Sequence, residues 1–394
     1  MNMASRHLSR MFAALLLFAL PVSAAPAQSV TTLDHRTLTP AVIDAEVNRL
    51  MTANHVAGLG VAIVRNGRVA FVRAYGKRDR AHDLPLLSDT IMYGASLTKA
   101  TFAYMLMQLV DEGRVNLDTP IDHYLPKPLP DYPNYADLKD DPRWRKLTFR
   151  ILMNHTTGFN NFRWLDPDEK LVFHRDPGAR FGYSGEGINL AGFILEQGLG
   201  IDLGKEMQRR VFDRFGMTRT SMTWRADFAG NLTTGYTMDG KPVEHDQREH
   251  VRAAGSMDTT LADWSRFLAG AARGTGLSAK ARAEMVRPTI AIDSERQFPA
   301  LTEARTDRWK AIGLGYAVGW GSFETRYGHA FFKEGHDDGT SNFALCIDQR
   351  QDCILLLSND NRAEGIYVEL TNRLLGPVAL AWEWEGYRPY DRSE

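Results

Sequence analysis

Cysteine is almost missing from this chain. Its 394 residues include only Cys346 and Cys353, and no histidine or further cysteine stands at zinc-ligand spacing from them. A thiolate metal centre and a disulfide-built small domain are therefore excluded. The pair flanks residues 347–352, a hairpin-turn pattern, and two readings stand: a cross-strand disulfide, which export permits, or two small apolar strand residues, with geometry to decide. A charge excess is missing too. Lys and Arg number 47 against 48 Asp and Glu, a formal net charge of −1, so no long-range field draws the chain to nucleic acid or an anionic membrane. There is no internal repeat and no low-complexity segment, and beyond the N-terminus no apolar run reaches spanning length.

What is present is an ordinary globular composition, 44% hydrophobic and 24% charged, long enough to bury a large core as two domains or one elaborated domain. The first apolar run, residues 11–20, follows Arg6 and Arg10 and precedes Pro21 and the small residues Val22-Ser23-Ala24 and Ala25-Pro26-Ala27. That order reads as a secretory signal peptide over residues 1–27, cleaved after Ala24 or Ala27. No cysteine lies near the cleavage region, so a lipid anchor is not expected. Losing the two signal arginines leaves the mature chain at about −3 by the same count. The expectation is a secreted or periplasmic protein, soluble after cleavage and without stable membrane insertion.

Residues 40–51 carry a helical apolar face of Val42, Ile43, Val47 and Leu50. Residues 58–64 and 68–75 read as strands about Asn66-Gly67, a strong hairpin signal. An apolar helix is expected over 97–112. Prolines 120, 126, 128, 130 and 133 then forbid a long regular element up to residue 135. Short helical patterns follow at 149–154, 187–197 and 203–215, and Thr260 caps another carrying Leu261, Trp264, Phe267 and Leu268. Strands are expected at 314–323, 326–332, 342–347 and 353–358, and a last helix from about Ala363. This order predicts one domain over residues 35–390: a sheet region from about 40–115 and 255–390, and a mainly helical insertion at about 116–254.

Ser96-Leu97-Thr98-Lys99 opens the apolar helix and sets a lysine amine one turn from a hydroxyl. A serine needs an adjacent base to attack a carbonyl, and a lysine whose charge is suppressed by burial can supply one. Free amides at the helix start can meet developing negative charge. About one S-x-x-K is expected by chance in a chain this long, so the string needs companions.

Two candidates follow. In Arg180-Phe181-Gly182-Tyr183-Ser184-Gly185, a tyrosine near a lysine would more readily give up its proton and relay protons to and from the serine, which makes Tyr183 the candidate. The overlapping Gly182-Tyr183-Ser184-Gly185-Glu186 is a poor nucleophile elbow, with Glu186 in the last glycine's place and no strand before it. Lys333-Glu334-Gly335-His336 ends a predicted strand. There the lysine adds positive potential and the glycine lets substrate approach the backbone. The strand edge offers the His336 N–H to pair with that of Ser96 as an oxyanion hole. A charged strand end with a turn glycine is the alternative reading.

In this order the three elements resemble the serine β-lactamase and penicillin-binding protein superfamily, whose signatures are S-x-x-K and K-T-G. Gly58-Leu59-Gly60-Val61-Ala62-Ile63-Val64, the stretch from Leu109 to Pro120, Leu152-Met153-Asn154-His155-Thr156-Thr157-Gly158-Phe159 and Ala253-Ala254-Gly255-Ser256-Met257 are similar to the class C β-lactamase-like and esterase-like branch. The likeness extends over about residues 40–385. It implies an α/β (α+β) fold with an antiparallel sheet of about five strands flanked by helices plus a mainly helical subdomain, as in β-lactamases and transpeptidases. It also implies Ser96 as nucleophile, Lys99 as its activator, Tyr183 as general base and later acid, and Lys333 with Gly335 as the third-motif wall, with no cofactor and no metal.

Two departures bear on substrate. Gly185 stands where many relatives have an asparagine that holds the acyl amide, and Glu334 where they have a threonine or serine near the substrate carboxylate. An inward-facing acid at 334 disfavours an anion, whereas strand alternation would turn it away. The implied function is an exported serine hydrolase acting on an ester or small amide or peptide. β-Lactamase and D,D-carboxypeptidase are the enzymatic alternatives. A penicillin-recognising or peptidoglycan-binding module without turnover, meeting peptidoglycan fragments, is the non-enzymatic one. Among other polar residues, His155 reads as a loop-fixing hydrogen bonder, His336 with Asp337 and Asp338 as either a polarising group or a turn, and Glu244, His245 and His250 as a solvated loop. Trp144, Phe159, Phe162, Trp164 and Phe173 read as core packing or as an acyl pocket.

Overall fold

The computed structural model describes residues 29–391; the signal-peptide reading of residues 1–27 lies outside them. Among the described residues a nine-stranded antiparallel sheet forms the centre, built from both ends of the chain. Its strands are β1 (Gly58–Arg65), β2 (Arg68–Asp79), β3 (Leu84–Pro85), β4 (Ile290–Ala291), β5 (Gly315–Tyr316), β6 (Gly321–Thr325), β7 (Gly328–Asp337), β8 (Thr340–Ile347) and β9 (Asp352–Ser358). Their spatial order is β4-β5-β6-β7-β8-β9-β1-β2-β3. The sheet has nine strands rather than the expected five or so: β1, β2, β7, β8 and β9 have seven or more residues, β6 has five and pairs along β7, and the remaining three are two-residue pieces toward the edges. Asn66 and Gly67 turn the β1–β2 hairpin with φ of 49° and 70°, the positive pair a two-residue hairpin turn requires.

Period-two alternation divides two cores. Leu59, Val61 and Ile63 of β1, with Ile354 and Leu356 of β9, face one side. There α1 (Pro40–Ala53), capped by Thr39, and α8 (Glu364–Leu374) cover them. Ala62 and Val64 face the other side with Leu355 and Leu357, beneath α2 (Leu97–Asp111) and α6 (Leu261–Arg273). Each large aliphatic side chain so buried contributes about 1.5–3 kcal/mol. Helix α2 is buried from Leu97 to Leu109, and the mainly helical region packs on its far side. That region holds α3 (Phe149–Met153), α4 (Gly185–Leu199), α5 (Leu203–Met207) and the short turns that replace regular structure in the proline-rich stretch. Two further helices, α7 (Ala279–Val286) and α9 (Trp382–Glu385), complete the set used below. No helix among the described residues is long and apolar enough to cross a membrane.

Two strand expectations change. The run 314–323 is not one strand but β5 and β6, paired Gly315 to Ser322. The chain reverses between them through Gly319 at φ 79°, where a Cβ would stand 2.6 Å from that of Ala103 on α2. The strand predicted to stop at Phe332 runs on to Asp337, because Lys333 through Asp337 pair with Ala344 through Thr340 of β8. Cys346 and Cys353 face each other across β8 and β9 and are joined as a disulfide.

Candidate active site

Ser96 caps α2 without spending its hydroxyl on the cap. Ala95 before it is held at φ 45°, a left-handed conformation costly for a residue with a Cβ. It persists because its surroundings fix it: Thr98 Oγ1 donates to the Ala95 carbonyl at 2.6 Å, the Gly94 N–H to Met257 O at 2.8 Å, and Asn342 Nδ2 to Tyr93 O at 3.0 Å. One turn on, Lys99 is 1% exposed, and its Nζ donates to Ser96 Oγ at 2.8 Å and to the Ala254 carbonyl at 2.7 Å. Burial, reinforced by the positive charge of Lys333 and opposed by Glu334, pushes the Lys99 ammonium well below its ordinary pKa. As a neutral amine, Lys99 can turn its lone pair toward Ser96 Oγ across the same 2.8 Å contact, with an N–H still held by Ala254 O, and so take the serine's proton.

Tyr183 lies just before α4, whose cap Ser184 accepts from the Gly187 N–H at 3.1 Å. Its ring lies 5.1 Å from Lys99 Nζ, and its hydroxyl accepts from Lys333 Nζ at 3.0 Å. The structure thus brings Ser96, Lys99, Tyr183 and Lys333 together. The expectation that nearby lysines would ease the tyrosine's ionisation is not met. Burial first, then the charge of Glu334, push the phenol well above its ordinary value, although a hydrogen bond from Ser96 works in the other direction. Lys333 spends its charge on Glu334, reaching its carboxylate Oε1 at 2.6 Å and its carbonyl at 3.1 Å.

Glu334 is 6% exposed and lines the cavity, so strand alternation does not turn it away. Gly335 also meets a need that the sequence reading did not include. A Cβ there would meet Gly94 O at 2.8 Å and Ser96 N at 3.3 Å, so the missing side chain admits the start of α2 against β7. His336 follows at the cavity wall, where its Nδ1 is 2.6 Å from Glu364 Oε1. Burial alone would lower the imidazole's pKa; the Glu364 hydrogen bond and charge raise it. Gly185 faces Phe162, whose Cε1 would lie 2.5 Å from an added Cβ.

His155 fixes the loop as expected: its Nδ1 accepts from the Ser184 N–H at 3.1 Å and its carbonyl from Gly182 N–H at 2.8 Å. It also stacks on Tyr183 at 4.2 Å between centroids, a positioning contact that the sequence did not reveal. Burial and the two lysines hold it well below its ordinary pKa, as a neutral ring. The aromatic group divides: Trp144, Phe159 and Phe173 enter the core, while Phe162 and Trp164 stack at 4.2 Å on the cavity wall. Of the presumed solvated loop, the His245 side chain is buried, its Nε2 3.1 Å from Asp258 Oδ1.

The cavity measures about 670 Å³. Two segments unmarked by any motif complete it. Residues 293–305 bring Gln297 and Phe298 over Tyr183, with Gln297 Nε2 3.1 Å from Glu334 Oε1 and the Phe298 ring 5.4 Å from that of Tyr183. Arg180 secures this segment through Asp293 and the carbonyls of Thr302 and Ala304. The C-terminal turn contributes Glu385 and Tyr387. In the sequence, Arg180 beside Tyr183 and the alternating Trp382-Glu383-Trp384-Glu385 are unremarkable.

The β-lactamase family profile matches residues 43–375. A β-lactamase of Pseudomonas fluorescens is 24% identical over 212 residues, covering 51% of this chain and 56% of that protein. Esterase EstB of Burkholderia gladioli is 30% identical over 157 residues, covering 40% of this chain and 36% of the esterase. These matches span about half and about a third of the two relatives' lengths. The crystal structure of the D-alanine carboxypeptidase AmpC from Burkholderia cenocepacia superimposes with a TM-score of 0.67 at 19% identity, over 85% of this chain and 97% of that one. With its profile match and its fold in agreement, this chain belongs to the β-lactamase family.

Proposed function

We propose that the protein is an exported serine hydrolase that cleaves an ester or a small amide or peptide through an acyl-enzyme. The observation that carries this reading is the 2.8 Å hydrogen bond from buried Lys99 to Ser96 Oγ, with Tyr183 held by Lys333 in the same cavity. Neutral Lys99 takes the hydroxyl proton as Ser96 Oγ attacks the carbonyl carbon. The backbone N–H groups of Ser96 and His336 receive the oxyanion. Tyr183, which keeps its proton at neutral pH, gives it to the departing group, and the phenolate left between two lysines is stabilised by their charge. Water then attacks the acyl-enzyme, losing its proton to that phenolate, while protonated Lys99 returns a proton to Ser96 Oγ. Every group ends as it began, and the net reaction is hydrolysis.

Phe162 filling the space beside Gly185, and Glu334 facing the cavity, support an ester or a neutral or amine-bearing amide over a carboxylate-bearing β-lactam. The names of relatives keep β-lactamase and D,D-carboxypeptidase activity as the second reading, and a penicillin-recognising or peptidoglycan-binding module without turnover as the third. Intact-protein mass spectrometry with a short-chain p-nitrophenyl ester, and separately with a fluorescent penicillin, tests all three. Multiple turnovers of the ester with slow penicillin labelling, both lost in Ser96→Ala, is the expected result. Rapid penicillin acylation without ester turnover moves the assignment to the third reading, and penicillin hydrolysis moves it to the second.

A further inference from the structure

A third side of the cavity presents open side-chain donors. It is made of Asn161 from the loop after α3, Asn189 on α4 and Arg252. The backbone orients both asparagines: Asn161 Oδ1 accepts from the Gly185 N–H at 2.9 Å, and Asn189 Oδ1 from the Ala254 N–H at 3.0 Å. A backbone N–H can only donate, so each amide turns its oxygen to the chain and leaves its Nδ2 as the open end. Neither Nδ2 has a partner among the described residues, and neither is closed to solvent. Arg252 is exposed. Its own N–H donates to Ser256 Oγ at 3.0 Å and its carbonyl accepts from the Gly255 N–H at 3.2 Å, but its guanidinium has no hydrogen-bond or ion-pair partner among the described residues. The acids nearest in this part of the molecule are engaged elsewhere: Glu186 is taken by Arg163 at 3.0 Å, and the charge that acts on Glu196 is that of Asp202. This side also adjoins the reacting pair, because the Ala254 that Asn189 holds is the residue whose carbonyl holds Lys99.

We infer that Asn161, Asn189 and Arg252 receive a carboxylate carried on the acyl part of the substrate, so that the preferred substrate is a half-ester of a dicarboxylic acid. This deepens the hydrolase reading and rests on it. An ionised carboxylate accepts on both oxygens and donates nothing, the complement of two amide nitrogens and a guanidinium fork. The acyl part is the one that reaches this side, since the departing group leaves toward Tyr183, whose hydroxyl Lys333 holds against β7 at 3.0 Å. Beside β7 an anion would meet Glu334, Asp337 and Asp338, an unfavourable juxtaposition. The cavity thus refuses the charge on one side and takes it on the other. The stacked rings of Phe162 and Trp164, next to Asn161 in the chain, give the methylene spacer an apolar surface.

The test compares the mono-p-nitrophenyl esters of adipic and suberic acids with the same molecules methylated at the far carboxylate, which removes the charge. In the better chain length the free acid is expected to exceed its methyl ester in kcat/KM by about fivefold at low salt, and the advantage to shrink at about 0.5 M salt. Arg252→Gln is expected to bring that ratio to about one. Asn161→Asp keeps the acceptor for Gly185 but exchanges the donor for a negative charge, and is expected to bring the ratio below that of the wild type. A ratio that either variant leaves unchanged overturns the site. So does a wild-type ratio of one or below while p-nitrophenyl acetate is still hydrolysed, which leaves the hydrolase reading standing. The hexanoate ester of 4-carboxybenzyl alcohol, against its methylated form, puts the same charge in the departing group and is expected to give a ratio of about one or below. A larger advantage there than in the acyl series overturns the placement. No turnover of any ester overturns the hydrolase reading, and titration calorimetry of Ser96→Ala with monomethyl and dimethyl adipate then decides the carboxylate site alone: tighter binding of the monomethyl ester supports it, and equal or absent binding overturns it.

Discussion

The two walls of the cavity are built on opposite principles. On the α2 wall the polar groups satisfy one another: Lys99 has Ser96 and the Ala254 carbonyl, and Thr98 has Ala95. The facing wall, from β7 and the C-terminal turn, is left in debt, with Glu334 Oε2 and both oxygens of Glu385 unmatched among the described residues. A satisfied wall holds reacting groups in fixed geometry, whereas buried carboxylate oxygens without donors are a standing cost to the folded state. The first is suited to chemistry, and the second shows in stability.

The comparison is broken most severely at Ser96. Ser96→Ala is expected to lower ester turnover by about a thousandfold or more while the fold is kept, as followed by product release and circular dichroism. Lys99→Met and Tyr183→Phe each lose more than about tenfold in kcat. The pH profile sharpens their roles. Because the Lys99 pKa is depressed and that of Tyr183 raised, kcat/KM rises as Lys99 loses its proton and falls only where Tyr183 ionises. Replacing Tyr183 by Phe removes the alkaline fall and leaves the acid limb. An unchanged alkaline limb in that variant excludes Tyr183 as the proton donor.

Stability separates the walls in opposite directions. Lys333→Met strands the buried Glu334 carboxylate and is expected to cost about 3–5 kcal/mol in urea denaturation. Glu385→Gln removes an unmatched acid and is expected to stabilise the free protein at pH 7. Its sign follows from linkage. With the folded pKa above the ordinary 4.5, the folded state retains a proton the unfolded state has lost, so native stability falls as pH rises above that value. The gain from Glu385→Gln therefore shrinks toward zero as pH is lowered to about 4.5. A gain that is equal at both pH values contradicts the buried-carboxylate account.

The same contrast explains what the sequence disclosed. Ser96 and Lys99 are three residues apart on one helix, so their meeting follows from local geometry alone. The Asn66-Gly67 hairpin and the Thr260 cap are likewise local, and both form where expected. Tyr183 and Lys333 were identified by their order and their likeness to a family, since nothing near either residue places them 3.0 Å apart. The ionisation of Tyr183 was misjudged because counting nearby lysines omits burial, which outweighs them in a closed site. Glu385 carries no motif and reaches the cavity only because α9 packs beside the 293–305 segment, where the Gln297 N–H donates to Trp384 O at 2.9 Å. Gly335 was legible as a required glycine, but its reason was not: only the folded chain has α2 at that point. Long-range assembly, not propensity, sets the acidic wall.

The smallest expected effect lies at the rim, where the debt of the acidic wall is partly settled by the protein itself. His336 is paired with Glu364 at 2.6 Å, and its imidazole pKa is raised above 6.5 by that carboxylate against the partial loss of solvent around the ring. The folded state therefore holds a proton that the unfolded histidine releases. The stabilisation is fully present below about pH 6.5 and is lost as pH rises through the raised folded value. Since the side chain is 55% exposed, solvent screens the pair, and its worth is held to at most about 1 kcal/mol. Urea midpoints of the wild type and His336→Gln, compared from about pH 5.5 to 9, are expected to differ most at the acid end and to converge at the alkaline end. A difference that is constant with pH assigns His336 a packing role only. A difference that widens toward alkaline pH reverses the sign of the pair and removes His336 from the cations that balance this wall.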